Sequence, residues 1–238
     1  SNFPPYGETH FHFPTGRFSD GRIIPDFILE YAQLPLIPPY MSPRSEMYYR
    51  IGANFASAGA GALAETFHGA VISLQTQLSN HKRVEERLRK IYGSTEAKNT
   101  LSKAVYMFSI GTNDYISPYL ITNSTHFNSS YSNSQLVQIV VGNLTSVIKE
   151  LHKRGGRKFA KFGVVTVPLL ACWPSVRAGR AGNTCNEELD VISSLHNQKL
   201  SEKLQELENQ LNGFMYSKFD LANEVSKRMM NPSKYGNT

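Results

Sequence analysis

Two short stretches of small and polar residues carry groups that could stabilise negative charge. The first is Gly111-Thr112-Asn113-Asp114, which closes the apolar run Ala104-Val105-Tyr106-Met107-Phe108-Ser109-Ile110. Gly111 lets a substrate or another backbone come close, and the carboxamide of Asn113 offers two N–H donors. Rigid neutral donors aimed at developing charge are what an oxyanion hole requires. The same four residues are also good turn composition, so a plain turn is the alternative. The second stretch is Ser57-Ala58-Gly59-Ala60-Gly61, a small-residue turn whose backbone N–H groups can face a ligand, or which simply allows close packing. Asp114 is expected to be a buttress bonded to nearby backbone rather than a catalytic carboxylate.

A nucleophile with its base is harder to find. Ser57 and Ser109 show no recognisable base. Phe18-Ser19-Asp20-Gly21 holds Gly, Asp and Ser in reversed order, but Ser19 or Asp20 fits better as the cap of the helix that follows. The seven histidines are His10, His12, His68, His81, His126, His152 and His196. His10 and His12 alternate with Phe11 and Phe13 and could in principle bind a metal. Without a third ligand at suitable spacing, a solvent-facing pair is the better reading. No metal site and no cofactor is expected.

The elements that must hold these groups follow from periodicity. The aromatic and β-branched run ending at Ile110 reads as a buried strand, and ligands bind at the carboxyl ends of strands in open α/β sheets. Upstream, Ile23, Ile24, Phe27, Ile28 and Tyr31 fall on one helical face. Pro35, Pro38, Pro39 and Pro43 enforce an extended loop, and Ile51 to Ala56 reads as a short strand. Leu74 to Ile91 is an amphipathic helix with Leu74, Leu78, Val84, Leu88 and Ile91 buried, and Thr95 to Ser102 a shorter one. Pro118 to Asn133 is a polar loop, Ser134 caps a helix to Arg154 on Leu136, Ile139, Val140, Leu144, Val147, Ile148 and Leu151, and Gly155-Gly156 ends it. Phe159 to Val167 is a strand. Glu187 to Leu211 is the longest helix, its leucine stripe reading as core and its His196 and Asn197 as polar anchors. Phe214 to Phe219 is a strand and Leu221 to Met230 a last helix. Strand and helix in alternation argue a parallel sheet between helices, an α/β three-layer sandwich in one domain over 1–238.

Bulk properties limit the function classes. The 238 residues can bury a sizeable core, and 40% apolar with 18% charged residues describes an ordinary globular chain. The longest near-apolar stretch, Val164 to Trp173, is far below the roughly 18 residues a membrane span needs, so no integral membrane segment is expected. A net charge of +6 could draw acidic partners, but the charges are interspersed and no nucleic-acid motif accompanies them. The densest basic stretch, Lys149 to Lys161, is a solvated helix end, and no nucleic-acid partner is expected. Sequons at Asn123, Asn128 and Asn143 suit glycans on an exposed loop running into a helix, and lean towards secretion. The first residue is Ser, and the chain is expected to be processed or truncated. Cys172 and Cys185 are either bridged, closing a loop worth roughly 3 kcal/mol, or two small hydrophobes, and the bridge is expected.

Asn54-Phe55-Ala56-Ser57-Ala58-Gly59-Ala60-Gly61 and Phe108 to Tyr115 resemble two conserved blocks of the plant GDSL esterase/lipase family, within the SGNH hydrolases. So do Phe3-Pro4-Pro5-Tyr6-Gly7, Phe13-Pro14-Thr15-Gly16-Arg17-Phe18-Ser19-Asp20-Gly21-Arg22, Cys172-Trp173-Pro174 and Asn231-Pro232-Ser233-Lys234-Tyr235-Gly236. These span nearly the whole chain in the family's order. The resemblance implies an SGNH-like sandwich, a secreted serine esterase or lipase acting on acyl esters through Ser, His and Asp, and oxyanion donors at Gly59 and Asn113. Ala58 and Ala171 stand where the family usually has Gly, and small backbone adjustments without change of role are expected. The family's Gly-Asp-Ser and Asp-x-x-His motifs are both absent from the sequence, so the resemblance implies a domain incomplete at both ends, its first strand included, and inactive alone. A catalytically dead family member acting as a binding protein is the alternative. Tyr6, Phe18, Tyr40 and Trp173 could line an ester pocket or pack a core.

Overall fold

The computed structural model describes residues 2–42, 48–120, 131–155, 161–178, 182 and 184–236. Pro43, the sequons Asn123 and Asn128, Gly156 and the first residues of the strand expected from Phe159 lie outside them. Contacts divide the chain into two compact units, residues 1–58 with 79–97 and residues 59–78 with 98–238. Among the described residues, no helix is long and apolar enough to cross a membrane.

In the first unit, α1 (Ile24–Tyr31) forms where the spacing predicts it, but is anchored differently. Neither Ser19 nor Asp20 caps it: Ser19 Oγ accepts from the Gly21 N–H at 3.1 Å, while Asp26 Oδ2 accepts from the Ile23 N–H at 2.9 Å. Arg17 grips the same carboxylate with Nε and Nη2, both at 2.7 Å. Burial alone would raise the Asp26 pKa, but the Arg17 hydrogen bonds and charge outweigh it and hold the carboxyl below its ordinary range. The apolar face expected in the core is instead outward. Ile24, Phe27 and Ile28 are about half exposed and Tyr31 is 93% exposed, while Asp26 is buried. Periodicity says which residues share a face; the ion pair decides which face is covered.

The strand expected at Ile51 to Ala56 reduces to one parallel bridge between Pro39 and Asn54. Asn54 donates its N–H to Pro38 O and accepts from the Tyr40 N–H. Pro38 and Pro39 have no N–H to extend the ladder. Helix α2 (Leu74–Lys103) is capped by Ser73 and broken at Gly93 (φ 82°, ψ 164°), so it consists of the two helical stretches the sequence suggests. Leu74, Leu78, Val84 and Leu88 are buried as expected, but Ile91 is half exposed.

The second unit holds the sheet. Strands β1 (Val105–Phe108), β2 (Lys161–Val165) and β3 (Met215–Phe219) are all parallel, in the order β1-β2-β3. This is the α/β architecture with a parallel sheet that the alternation predicts. β1 is not fully buried: Tyr106 and Phe108 pack on the core, whereas Val105 and Met107 face outward at one edge of the three described strands. Helix α3 (Thr112–Leu120) starts directly in the Gly-Thr-Asn-Asp corner, where the sequence suggests only a turn. Helix α4 (Asn133–Arg154) begins two residues earlier than expected, because Ser132, not Ser134, caps it. Ser132 Oγ accepts from the Gln135 N–H and Gln135 Oε1 accepts from the Ser132 N–H, a reciprocal box. Basic residues 152–154 fill its last turn, which suits the negative end of the helix dipole.

After β2 come α5 (Pro174–Ala178), too short to stand out by periodicity, and α6 (Glu187–Gln210). Helix α7 (Leu221–Met230) and a 3₁₀ turn at Pro232–Tyr235 end the described chain. The core lies between α4, α6 and the sheet: Val140, Ile148, Leu170, Leu189, Leu200 and Leu204 are completely covered. Leu195 of the α6 stripe sits at its margin, partly exposed.

Candidate functional site

The corner after β1 is built by three successive residues of α3, each with a separate task. Asp114 is 1% exposed and reaches the loop after Gly59. Its Oδ2 accepts from the Ala62 N–H at 2.8 Å, and its Oδ1 from the Leu63 N–H at 3.0 Å and the Thr66 hydroxyl at 2.6 Å. This is the buttress expected of it. Burial pushes its pKa up despite these donors. The carboxylate approaches so closely that a Cβ on Gly61 would stand 2.6 Å from Asp114 Cγ and 2.7 Å from Thr66 Oγ1.

Asn113 is the second group. Its Nδ2 donates to the Ala60 carbonyl at 2.9 Å, across 53 residues of sequence. The structure therefore brings together the two stretches singled out in the sequence: the carboxamide of Asn113 lies against the Ala60–Gly61 peptide, one residue beyond Gly59. One of its two N–H donors is used in this bond. Gly59 has φ +87°, whereas Ala58 is not among the residues of positive φ. The turn needs its glycine at 59 and tolerates alanine at 58. At the equivalent place after β2, Ala171 donates its N–H to Asp190, so its methyl is accommodated too.

Tyr115, the third residue, points inward and was not singled out from sequence. Its hydroxyl lies 2.6 Å from Nδ1 of His196 on α6, with the rings edge to face. His196 is 0% exposed, and its Nε2 is buried with no hydrogen-bond partner among the described residues. Burial lowers the His196 pKa to about 4 and raises that of Tyr115, so the pair is neutral across the ordinary pH range. The ring lies over Gly111, which has φ +118°; a Cβ there would be 2.9 Å from His196 Cε1. Beside it, Asn197 pairs with both polar groups of Val167, accepting from its N–H at 2.9 Å and donating to its carbonyl at 2.8 Å. The sequence marks His196 and Asn197 only as polar positions within a leucine stripe; their partners are remote in sequence and leave no local signal.

The loop after β2 is fastened similarly. Asp190 Oδ1 accepts from the N–H groups of Leu170 and Ala171 at 2.7 and 2.8 Å, and Asn186 donates its N–H to Ala171 O. Cys172 and Cys185 are bridged, as expected.

Other candidates lie elsewhere. Among the described residues no group of three or more His, Cys, Asp or Glu is placed to hold a metal ion, and His10 and His12 are both exposed. Of the four aromatics none is buried; Tyr6 stands against Phe18 and Tyr40 against Phe55, at 5.0 and 5.2 Å between centroids. The third sequon, Asn143, is not on a loop: it lies within α4 and its Nδ2 donates to the Ala62 carbonyl at 3.2 Å.

The arrangement offers a carboxamide donor and a glycine peptide at the exit of a parallel strand, which can polarise a carbonyl but cannot itself attack one. Comparison with known proteins shows the family. Residues 6–238 match the model of the GDSL-like lipase/acylhydrolase family. A GDSL lipase of Tanacetum cinerariifolium is 52% identical over 236 residues, which is 99% of this chain and 61% of that protein. GDSL esterase/lipase 5 and GDSL esterase/lipase 1 of Arabidopsis thaliana are 49% and 48% identical, again over 99% of this chain and over 60% and 63% of their own lengths. The chain thus spans about three fifths of the curated relatives it matches.

Proposed function

Because the chain belongs to the GDSL-like lipase/acylhydrolase family, we propose that it serves the hydrolysis of carboxylic acyl esters, with the Gly59 N–H and the Asn113 carboxamide as oxyanion donors. The observation that supports this reading is the 2.9 Å hydrogen bond from Asn113 Nδ2 to Ala60 O, which ties the carboxamide to the loop that follows Gly59. A serine hydroxyl attacks the ester carbonyl, a histidine oriented by an aspartate takes its proton, and the charge on the carbonyl oxygen falls between these donors. The leaving alcohol takes the proton back, and water then releases the acid by the same route.

The sequence holds neither Gly-Asp-Ser nor Asp-x-x-His. In this reading the attacking hydroxyl and its base come from residues other than these 238. The test is hydrolysis of p-nitrophenyl acetate and butyrate by the 238-residue chain and by the complete reading frame of its gene. Activity in the complete product alone is expected, and Asn113→Ala there should lower kcat by about 10²–10³. Activity in neither would favour a non-catalytic binding role; activity in the short chain would mean the nucleophile lies within it.

The same reading places the protein outside the cell, as a glycoprotein. The Cys172–Cys185 bridge supports an oxidising compartment. Glycans are assigned to Asn123 and Asn128; the Nδ2 of Asn143 is part-buried against Ala62, which withdraws it from sugar transfer. Mass analysis before and after enzymatic removal of N-glycans should find Asn143 bare.

A further inference from the structure

His196 is unusual among the buried polar groups of the second unit. It is fully covered, it makes a short bond through Nδ1, and its Nε2 has no partner among the described residues. A buried group left half satisfied costs stability and calls for an explanation. A leucine would fit the apolar stripe of α6 without that cost. What the imidazole supplies and a leucine cannot is an acceptor or donor 2.6 Å from the Tyr115 hydroxyl. Tyr115 is two residues from Asn113 in the same turn of α3, and Gly111, two residues the other side, has no side chain where the ring lies.

We propose that His196 is a positioning residue for the oxyanion corner, fixing the Asn113 carboxamide through its hydrogen bond to Tyr115. The proposal rests on the assignment of Asn113 as an oxyanion donor. The corner is held on one side by Asp114, which ties α3 to the Ala62–Thr66 loop, and on the other by His196, which ties α3 to α6. With both ties the first turn of α3 cannot rotate about its own axis. With Asp114 alone it pivots, and the carboxamide leaves the place where the ester oxygen must sit; a misplacement of about 1 Å can cost on the order of 10²-fold in rate. Since Nε2 makes no bond, only Nδ1 and the space over Gly111 matter. Asparagine at 196 places an amide atom near Nδ1 and loses the ring, whereas phenylalanine keeps the ring and loses Nδ1.

The experiment compares Tyr115→Phe, His196→Asn and His196→Phe. In the complete reading frame, Tyr115→Phe and His196→Phe are expected to lower kcat about 10-fold with KM within twofold, a fraction of what losing a donor outright costs. His196→Asn is expected to recover most of that loss. In the 238-residue chain, the side-chain amide resonances of Asn113 in ¹⁵N–¹H spectra should shift and exchange faster in the two phenylalanine variants and stay close to wild type in His196→Asn. A role in packing alone gives the opposite order, with phenylalanine better than asparagine, and would overturn the proposal. So would an unchanged Asn113 resonance in Tyr115→Phe, which removes a single oxygen and keeps the measurement accessible if the His196 variants fold poorly. If the complete product hydrolyses no ester, the functional reading fails, while the Asn113 resonances still decide whether His196 positions that side chain.

Discussion

Asp114 and Asp190 solve one problem in two loops of the second unit. Each lies in the first turn of a helix, α3 or α6, and each captures two successive backbone N–H groups of a loop remote in sequence. They differ in what surrounds them. Asp114 is 1% exposed and uses both oxygens, with Thr66 as a third donor, whereas Asp190 is partly exposed and takes both amides on one oxygen. The Asp190 loop is also closed by the Cys172–Cys185 bridge. The Asp114 loop has no such tie, and its order rests on the buried hydrogen bonds of Asp114 and the partly buried ones of Asn113 and Asn143. A covalent clamp suits a loop that only has to stay put. If this loop presents a peptide N–H to a reacting oxygen, as proposed, its backbone must be set to a fraction of an ångström, and a buried carboxylate facing two amides sets it directly.

The largest test of this contrast is Asp114→Ala. Two buried amides and a hydroxyl lose their acceptor at about 1–3 kcal/mol each, so denaturant unfolding should show a loss of roughly 3–5 kcal/mol. If the loss were below about 1 kcal/mol, the carboxylate would not be what holds the loop.

Acid should separate the two regions next. His196 titrates near 4 in the folded chain against an ordinary 6.5. Between those values the unfolded chain binds the proton more readily, so stability complete above pH 6.5 is lost as pH falls towards 4, by up to about 3 kcal/mol. Asp114, with a raised pKa, contributes in the opposite sense, its folded form taking up a proton sooner. The unfolding free energy of wild type should therefore fall more steeply from pH 6.5 to 4 than that of His196→Phe. Amide exchange should quicken at residues 60–66 before it does at 170–172.

Removing the bridge with Cys172→Ala and Cys185→Ala should cost about 3 kcal/mol by the chain-entropy estimate, and leave exchange at residues 60–66 unchanged. Asp190→Ala should cost least, about 1–2 kcal/mol, because its carboxylate is partly hydrated and the bridge still closes the loop. If Asp190→Ala proved as damaging as Asp114→Ala, the comparison would collapse.

What could be read from the sequence follows the range of the forces involved. The strands, α4 and α6 were legible because their apolar residues repeat at the period of the element, and burial follows when that face is the covered one. The face of α1 misleads because a bidentate Arg17–Asp26 pair turns the helix the other way. The strand at Ile51 reduces to a bridge because, among the described residues, it meets Pro38 and Pro39, which have no N–H to extend the ladder. At the site, the buttress role of Asp114 is legible from residue chemistry, whereas Gly59 and Asn113 are singled out as oxyanion donors only with the help of the family resemblance. The bonds from Tyr115 to His196 and from Asn143 to Ala62, each spanning 81 residues, were not, since nothing near either residue in the chain specifies its partner.

The bond from Asn143 to Ala62 also makes this side chain a timer. Its Nδ2 is the atom that would carry a glycan, and once docked it is part-buried against Ala62, so docking first withdraws that nitrogen from sugar transfer. At roughly 5–20 residues per second of synthesis, Ala62 is made some ~4–16 s before Asn143. During that interval the partner carbonyl waits for α4. In a compartment that glycosylates sequons, the fraction of molecules carrying sugar at Asn143 would count those in which the transferase outran the helix. Slowing the docking of α4, with Ala62 and its loop intact, should raise that fraction and strand the chains with their reactive corner unassembled.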